Sequence, residues 1–162
     1  MAFLGMAECN AKGDVNVSKF KDRIAGCGGF INITQNTHKV VFCGTFTAKG
    51  LREEIRDGKL VITHEGAVQK FIDKVGQITF SAEYAHKHNQ QVMFITERCV
   101  FVLTDKGLVL TEIAPGVNLQ KDILDQMEFV PHIAENLKTM DERLFRDEPM
   151  GLAQDIFEQQ AG

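Results

Sequence analysis

Two apolar segments joined by a short polar turn constrain the fold of this chain most strongly. Phe94–Leu103 and Leu108–Ile113 are rich in Val, Ile, Phe and Leu, residues that favour β-strands. Between them, Thr104–Gly107 contains Asp, Lys and Gly, which are typical of a tight turn. The sequence therefore predicts a β-hairpin in the second half of the chain.

The segment after the hairpin has apolar residues at helical spacing. Asn118 is a suitable N-cap, and apolar residues recur on one face between Leu119 and Met127. A further short helix is predicted at Ala134–Lys138. The chain thus changes from strand to helix after Pro115–Gly116.

Strands and helices alternate along the rest of the chain, which favours an α/β fold with added β-hairpins. Ala2–Ala7 is predicted to be a buried strand with nothing before it, so we expect the start of its domain to be missing. Strands are also predicted at Val15–Phe20, Lys39–Phe46, Gln69–Val75 and Gln91–Thr96, a hairpin at Leu51–Arg56 and Lys59–His64, and short helices at Phe30–Asn36 and Ser81–His88.

The bulk composition narrows the class of protein. The 162 residues are 44% hydrophobic and 25% charged, which suits one globular domain. The net charge of -4, with no basic stripe, disfavours nucleic-acid binding. No apolar run approaches the roughly 20 residues of a membrane span, and the N-terminus lacks the pattern of a signal peptide. We therefore expect neither a nucleic-acid partner nor a membrane.

The cysteines and histidines indicate a reduced setting and no metal site. The four cysteines have no CxxC spacing, and none of the five histidines pairs with one at zinc-finger spacing. Cys43 and Cys99 lie in apolar segments and are predicted to be small buried side chains. A cytoplasmic location is expected.

Gly28–Gly29, directly before the predicted helix at Phe30, is the first candidate site. Paired glycines allow backbone N–H groups to approach a ligand, and a helix start favours negative charge. The alternative is an ordinary tight turn. Lys49 is the second candidate, because a lysine after a strand end in an α/β sheet faces the usual ligand crevice. The alternative for Lys49 is a solvated turn residue before Gly50.

Glu97–Arg98 is a charged pair within an otherwise apolar segment. Such a pair is costly to bury unless the charges are matched, so it marks a strand end or an internal ion pair. We expect a structural or interfacial role, with an attacking Glu97 carboxylate as the less favoured alternative.

Taken together, several blocks resemble the later part of family I CoA-transferases, especially the acetate/propionate type and succinyl-CoA:3-oxoacid CoA-transferase. The blocks are Asp14–Phe20, Gly28–Ile33, Val40–Ala48, Ile95–Pro131 and Met140–Phe145, in the same order. The resemblance implies an open, mainly parallel α/β sheet of the CoA-transferase type. It also implies that residues 1–162 are the C-terminal part of the second CoA-transferase domain, with the N-terminal domain and the start of this domain absent.

The resemblance further implies an activity. Family members transfer coenzyme A between a short-chain acyl-CoA and a carboxylate through a glutamyl-CoA thioester, with no metal or redox cofactor. Aligning Gly28–Gly29 on the family's glycine pair makes Gly29 a backbone oxyanion donor, with Gly28, Gly29 and Lys49 contacting CoA. The family's nucleophilic Glu precedes the strand at Phe3, so the resemblance implies that it lies outside this chain. Glu65–Gly66 is rejected as its Glu-x-Gly motif, because it follows the glycine pair and so lies in the wrong order.

Three interpretations follow. The first is a CoA-transferase, or an acyl-CoA hydrolase on the same intermediate, that is inactive without its N-terminal domain or subunit. A non-catalytic assembly subunit on the same fold is the second, and a general α/β ligand-binding module is the third. A homo-oligomer is expected, because family members assemble and a truncated sheet exposes edges.

Overall fold

A six-stranded mixed sheet is the centre of the protein. The computed structural model describes residues 1–160. Its strands are β1 (Ala2–Gly5), β6 (Lys39–Cys43), β11 (Gln91–Ile95), β12 (Cys99–Thr104), β13 (Gly107–Ile113) and β14 (His132–Thr139), where the numbers follow the order of all strands along the chain. In the sheet, these strands lie in the order β1-β6-β11-β12-β13-β14.

Shorter strands form two-stranded pairs around this sheet. The longest pair is the β8–β9 hairpin, which turns at Asp57–Gly58. Both turn residues have positive φ, as a two-residue hairpin of this kind requires. The short strands are β2 (Glu8–Cys9), β3 (Val15–Asn16), β4 (Lys19–Phe20), β5 (Arg23–Ile24), β7 (Thr47–Ala48), β8 (Arg52–Arg56), β9 (Lys59–His64) and β10 (Val68–Gln69).

The central sheet combines parallel and antiparallel pairing. β6 pairs in parallel with β1 and β11, and β13 pairs in parallel with β14. The hairpin β12–β13 is antiparallel, and so is the β11–β12 pair. Parallel pairs are thus the majority, and the predicted α/β class with added hairpins is confirmed.

One row of side chains runs across all six strands on the face that forms the main core. Each member is the direct register partner of the next, which aligns their side chains on one face. The row is Leu4, Phe42, Phe94, Phe101, Leu110 and Ile133. Its four central members are fully buried. The register of the sheet therefore places the largest apolar side chains in one layer.

Helices α1 (Phe30–Gln35) and α2 (Ala82–Lys87) cover that face. The Phe30 ring stacks on Phe42 with centroids 5.8 Å apart. Ser81 caps α2 by accepting a hydrogen bond from the Tyr84 N–H, so the predicted N-cap is confirmed. A smaller cluster with Leu60 and Phe145 packs on the opposite face.

The region after the β12–β13 hairpin is more irregular than a single helix. It contains a π-helical turn (Leu119–Ile123) and a 3-10 turn (Leu124–Gln126). Asn118 caps the first turn as predicted. A 3-10 turn (Glu142–Phe145) and helix α3 (Leu152–Gln160) complete the described chain. Among residues 1–160, no helix combines the length and apolar character that a bilayer span requires.

The predicted helix at Ala134–Lys138 is wrong, because this segment lies within β14. Ala134 and Leu137 have helical spacing and are the only half-buried residues of the strand. The pairing with β13 jumps from Leu110–Ile133 to Glu112–Lys138, so the residues between form a bulge. Tertiary pairing with β13 outweighs the local pattern.

Three predicted strands also differ from the structure. Gln69–Val75 contains only the end of β10, because the chain bends after Gln69. Val15–Phe20 is divided between β3 and β4. Ala2–Ala7 was expected to be buried, but β1 is an edge strand, and Phe3 is 66% exposed.

Candidate functional site

The carboxyl ends of the parallel strands β1, β6 and β11 meet at one edge of the sheet. The loop after β6, Gly44–Phe46, and the turn after β11, Thr96–Arg98, lie side by side there, since Gly44 N–H donates to Ile95 O at 3.2 Å. The start of α1 lies at the same edge, because Phe30 packs on Phe42 near the end of β6. Open α/β sheets bind ligands at this edge.

The Gly28–Gly29 bend is open to solvent at the start of α1. Gly28 has a φ of +50°, and a Cβ added to it would meet no atom within 4 Å. A Cβ on Gly29 would meet only Ile33 Cδ1, at 3.6 Å. Among residues 1–160, neither glycine's N–H has an acceptor. The bend is therefore free to donate to a ligand, and it is not packed into the protein interior.

Lys49 lies in a different place from the one that the sequence suggested. β6 ends at Cys43, and Lys49 follows the separate short strand β7 in an exposed turn with a φ of +61°. Its carbonyl accepts a hydrogen bond from Ala67 N–H at 3.0 Å. The backbone of Lys49 thus closes the base of the β8–β9 hairpin, and its side chain remains in solvent.

Arg98 is the centre of a buried ion cluster at the carboxyl edge. Its side chain has no exposed surface. Nη1 lies 2.8 Å from Glu65 Oε2, and Nε lies 2.6 Å from Glu97 Oε1. Nη1 also donates to Asp122 O at 2.8 Å, and the guanidinium carbon lies 4.8 Å from the centre of the Phe46 ring.

The electrostatics of the cluster favour its charged form. Burial raises the pKa of Glu65, but hydrogen bonds from Arg98 and Thr47 and the charge of Arg98 outweigh it, so this pKa lies below its usual value. Burial lowers the pKa of Arg98, yet the two carboxylates raise it overall. The predicted pairing of Glu97 with Arg98 is confirmed, and the pair also marks a strand end, between β11 and β12.

Lys70 is a second buried cation at this edge, which sequence reasoning missed. It is 7% exposed, and Nζ donates to Thr45 O at 2.8 Å. Burial lowers its pKa, against the opposing charge of Glu97. A Cβ on Gly44 would lie 2.9 Å from Lys70 Nζ, so the glycine leaves room for the ammonium group. Lys70 lies in the predicted strand Gln69–Val75, where a lysine gives no sequence signal of burial.

Burial disfavours the thiolate form of three of the four cysteines, Cys9, Cys43 and Cys99. Burial raises the pKa of both Cys9 and Cys99. Cys43 is exposed, so its predicted burial is wrong, because it is the last residue of β6 and its side chain leaves the sheet. Although Cys43 is exposed, its partial burial still raises the pKa of its thiol. The described residues contain no group of three or more His, Cys, Asp or Glu side chains that could hold a metal ion.

The order and pairing of the strands define an α/β domain, and solved structures of CoA-transferases share its fold. No protein-family model matches the chain. It is 51% identical over 157 residues to a caffeate CoA-transferase of Acetobacterium woodii, covering 94% of this chain and 30% of the relative. It is 53% identical over 151 residues to the acetate CoA-transferase YdiF of Escherichia coli K12, covering 93% of this chain and 28% of YdiF.

Solved structures agree with these relatives. The acyl-CoA transferase YdiF of E. coli O157:H7 has a TM-score of 0.90 and 54% identity, as an apoenzyme and as a thioester complex with CoA. This chain spans 29% of that protein. Glutaconate coenzyme A-transferase of Acidaminococcus fermentans shares the fold, with a TM-score of 0.62 and 14% identity. The resemblance to CoA-transferases is therefore confirmed, over less than a third of the relatives' length.

Proposed function

We propose that this chain is the C-terminal part of the second domain of an acyl-CoA:carboxylate CoA-transferase. The enzyme transfers coenzyme A between a short-chain acyl-CoA and a carboxylic acid. Identity of 51% to 53% with CoA-transferases along nearly the whole chain is the observation that carries the proposal. A structural relative of 54% identity is a thioester complex with CoA, which supports CoA as the substrate.

The reaction needs a nucleophile from outside this chain. A glutamate carboxylate attacks the acyl-CoA carbonyl carbon, the C–S bond breaks, and an acyl-glutamyl anhydride and CoA thiolate form. The thiolate then attacks the glutamyl carbonyl and releases the acid. Glu65 and Glu97 do not suit this role, because Arg98 holds both carboxylates in the ion cluster. The acceptor acid reverses the two steps.

Gly29 supplies a backbone oxyanion donor in this proposal, and Gly28 and Gly29 both contact CoA. Each attack places negative charge on a carbonyl oxygen, and N–H groups fixed in advance stabilise that charge. The exposed bend supports this role, and so do its N–H groups, which have no acceptor within residues 1–160. Lys49 contacts CoA in the same proposal, through a solvated ammonium group of the kind that binds phosphate as a point charge.

The rest of the enzyme is the proposed partner. β1 pairs only with β6 among the described residues, so its other edge has free peptide groups. Phe3 and Met1 are 66% and 72% exposed beside this edge. These features support docking of the N-terminal CoA-transferase domain or subunit and assembly into a homo-oligomer. We propose a cytoplasmic setting for the assembled enzyme.

A chimera tests the proposal. This chain replaces the matching segment of E. coli YdiF, and CoA transfer from acetyl-CoA to a short-chain acid is measured. We expect turnover by the chimera, an enzyme–CoA thioester in its intact mass, and no turnover by this chain alone. A folded chimera without turnover would overturn the proposal. Acyl-CoA loss that does not depend on an acceptor acid would instead indicate a hydrolase.

A further inference from the structure

The loop after β6 and the first residue of β7, together Gly44–Thr47, form hydrogen bonds with charged side chains. Thr45 O accepts from Lys70 Nζ at 2.8 Å, and Phe46 N–H donates to Glu97 Oε2 at 2.8 Å. Only the two ends of the loop bond to the backbone of neighbouring strands. Gly44 N–H donates to Ile95 O, and Thr47 pairs with β10. Ionic side chains therefore bond to the backbone at the centre of the loop, while the buried Phe46 ring packs on Phe71 with centroids 4.7 Å apart.

Arg98 connects the two carboxylates that anchor the loop. One carboxylate oxygen of Glu97 accepts a hydrogen bond from Arg98 Nε, and the other accepts one from Phe46 N–H. Both carboxylate oxygens of Glu65 accept hydrogen bonds from the Arg98 guanidinium group. Glu65 also accepts a hydrogen bond from the Thr47 hydroxyl. The guanidinium group also lies over the Phe46 ring. One buried cation thus reaches Phe46 and Thr47 through separate carboxylates.

The outer side of the same loop is open. Thr45 is exposed, and its N–H has no acceptor among residues 1–160. The loop lies at the carboxyl edge of the sheet, where α1 also begins. A buried ion pair contributes little net stability compared with apolar packing, but it fixes geometry. The cluster therefore fits a role in holding the exposed face of the loop in one conformation.

We propose that Arg98 is a positioning residue, which fixes the Gly44–Thr47 loop through Glu97 and Glu65 so that its exposed face forms part of the acyl-CoA site. This inference rests on the proposed function. Arg98 does not touch the substrate. It acts by keeping the Phe46 N–H and the Thr47 hydroxyl on their carboxylate partners, next to the exposed Thr45 N–H, which has no acceptor among residues 1–160.

The test needs a variant that removes the ion cluster without leaving unpaired buried charge. The triple variant Arg98→Met, Glu65→Gln, Glu97→Met replaces the three groups by neutral side chains of similar size and removes the oxygen that accepts from Phe46 N–H. The single variant Arg98→Lys keeps the positive charge but lacks the planar guanidinium group. It serves as the conservative variant. Arg56→Met is the matched control, because it breaks the exposed Arg56–Glu54 pair in the β8–β9 hairpin.

Two readouts separate a positioning role from a general structural one. Amide hydrogen exchange of Phe46 is compared with that of Phe94, a fully buried residue of β11, in this chain. KM for acyl-CoA and kcat are then measured in the complete enzyme. We expect the triple variant to exchange Phe46 about tenfold faster or more, the loss expected for a hydrogen bond to a charged group. Phe94 should exchange as in the wild type, and KM should rise about tenfold with a smaller change in kcat.

Intermediate values for Arg98→Lys and wild-type values for Arg56→Met would support the inference. Unchanged Phe46 exchange in the triple variant would overturn it, and so would faster exchange with an unchanged KM. A wild-type enzyme without CoA transfer would overturn the proposed function instead. The exchange measurement, which needs no substrate, would still decide whether Arg98 holds the loop.

Discussion

Arg98 and Glu65 are 33 positions apart in the sequence, yet Arg98 Nη1 lies 2.8 Å from Glu65 Oε2. Glu65 follows the β8–β9 hairpin, and Arg98 precedes β12. The contact joins the hairpin side of the molecule to the central sheet at its carboxyl edge. Because the arginine side chain is fully buried, its charge depends on Glu65 and Glu97 for compensation.

Replacing Arg98 with Met should strongly destabilise the fold. The variant leaves the carboxylates of Glu65 and Glu97 without their cation, and breaking a buried pair in this way costs about 3–5 kcal/mol. Chemical denaturation measures the change in the free energy of unfolding. Arg56→Met removes an exposed cation as the control, and it should cost at most about 1 kcal/mol. Equal effects of the two variants would contradict a buried ion cluster.

Gly66→Ala should also destabilise the protein. A Cβ at Gly66 would lie 2.5 Å from Ala48 O and 2.6 Å from Thr47 Oγ1. The backbone must move to relieve this overlap, at a cost of about 1–3 kcal/mol. Gly5→Ala is the control, since a Cβ there meets nothing within 4 Å. Thermal unfolding of both variants checks the difference, and a Gly66→Ala protein as stable as Gly5→Ala would show that the close approach is wrong.

Gly29→Pro tests the proposed oxyanion donor against its matched control, Gly29→Ala. Proline removes the N–H, and the φ of -83° at this N-cap is close to the proline value. Alanine keeps the N–H, and its Cβ meets only Ile33 Cδ1 at an ordinary contact distance. In the complete enzyme we expect the proline variant to lose about 10²–10³-fold in kcat.

The alanine variant should stay within a few-fold of the wild type, since its N–H group remains in place. Steady-state kinetics with acetyl-CoA measure both variants, and a circular dichroism spectrum verifies that each is folded. Equal kcat values for the proline and alanine variants would remove Gly29 from the proposed oxyanion site.

The pH dependence of stability should report on Glu65. Its pKa in the folded protein lies below the ordinary value of 4.5, so the ionised form stabilises the fold. This contribution is complete above about pH 4.5 and is lost as the pH falls through the folded-state pKa. We therefore expect the wild type to lose more unfolding free energy between pH 7 and pH 3 than Glu65→Gln does.

Urea denaturation across that pH range measures the difference. Asp141, whose pKa is held at about 2 by hydrogen bonds from Arg143, titrates in both proteins and cancels in the comparison. Parallel pH curves for wild type and Glu65→Gln would mean that Glu65 is not stabilised as a carboxylate by its folded-state partners.

The sequence predicted those elements that local pattern alone defines. The β12–β13 hairpin, the turn at Asp57–Gly58 and the caps Ser81 and Asn118 all depend on residues within a few positions of each other. The resemblance to CoA-transferases likewise rested on ordered blocks of residues, and relatives of above 50% identity confirm it. Local chemistry was sufficient in each case, because the determining contacts are short in sequence.

Elements that depend on distant partners were predicted less well. β14 has helical spacing at Ala134 and Leu137, but β13 supplies its hydrogen-bond partners. Edge exposure of β1 follows from its place in the sheet order, which no local pattern contains.

The sequence by itself determined the class of fold, the hairpin, the helix caps and the glycine bend at Gly28–Gly29. Tertiary structure alone decided that Glu65 and Lys70 converge with Arg98 on the loop after β6. Burial of a charge depends on partners from distant segments, and those partners meet only when the sheet has set its register.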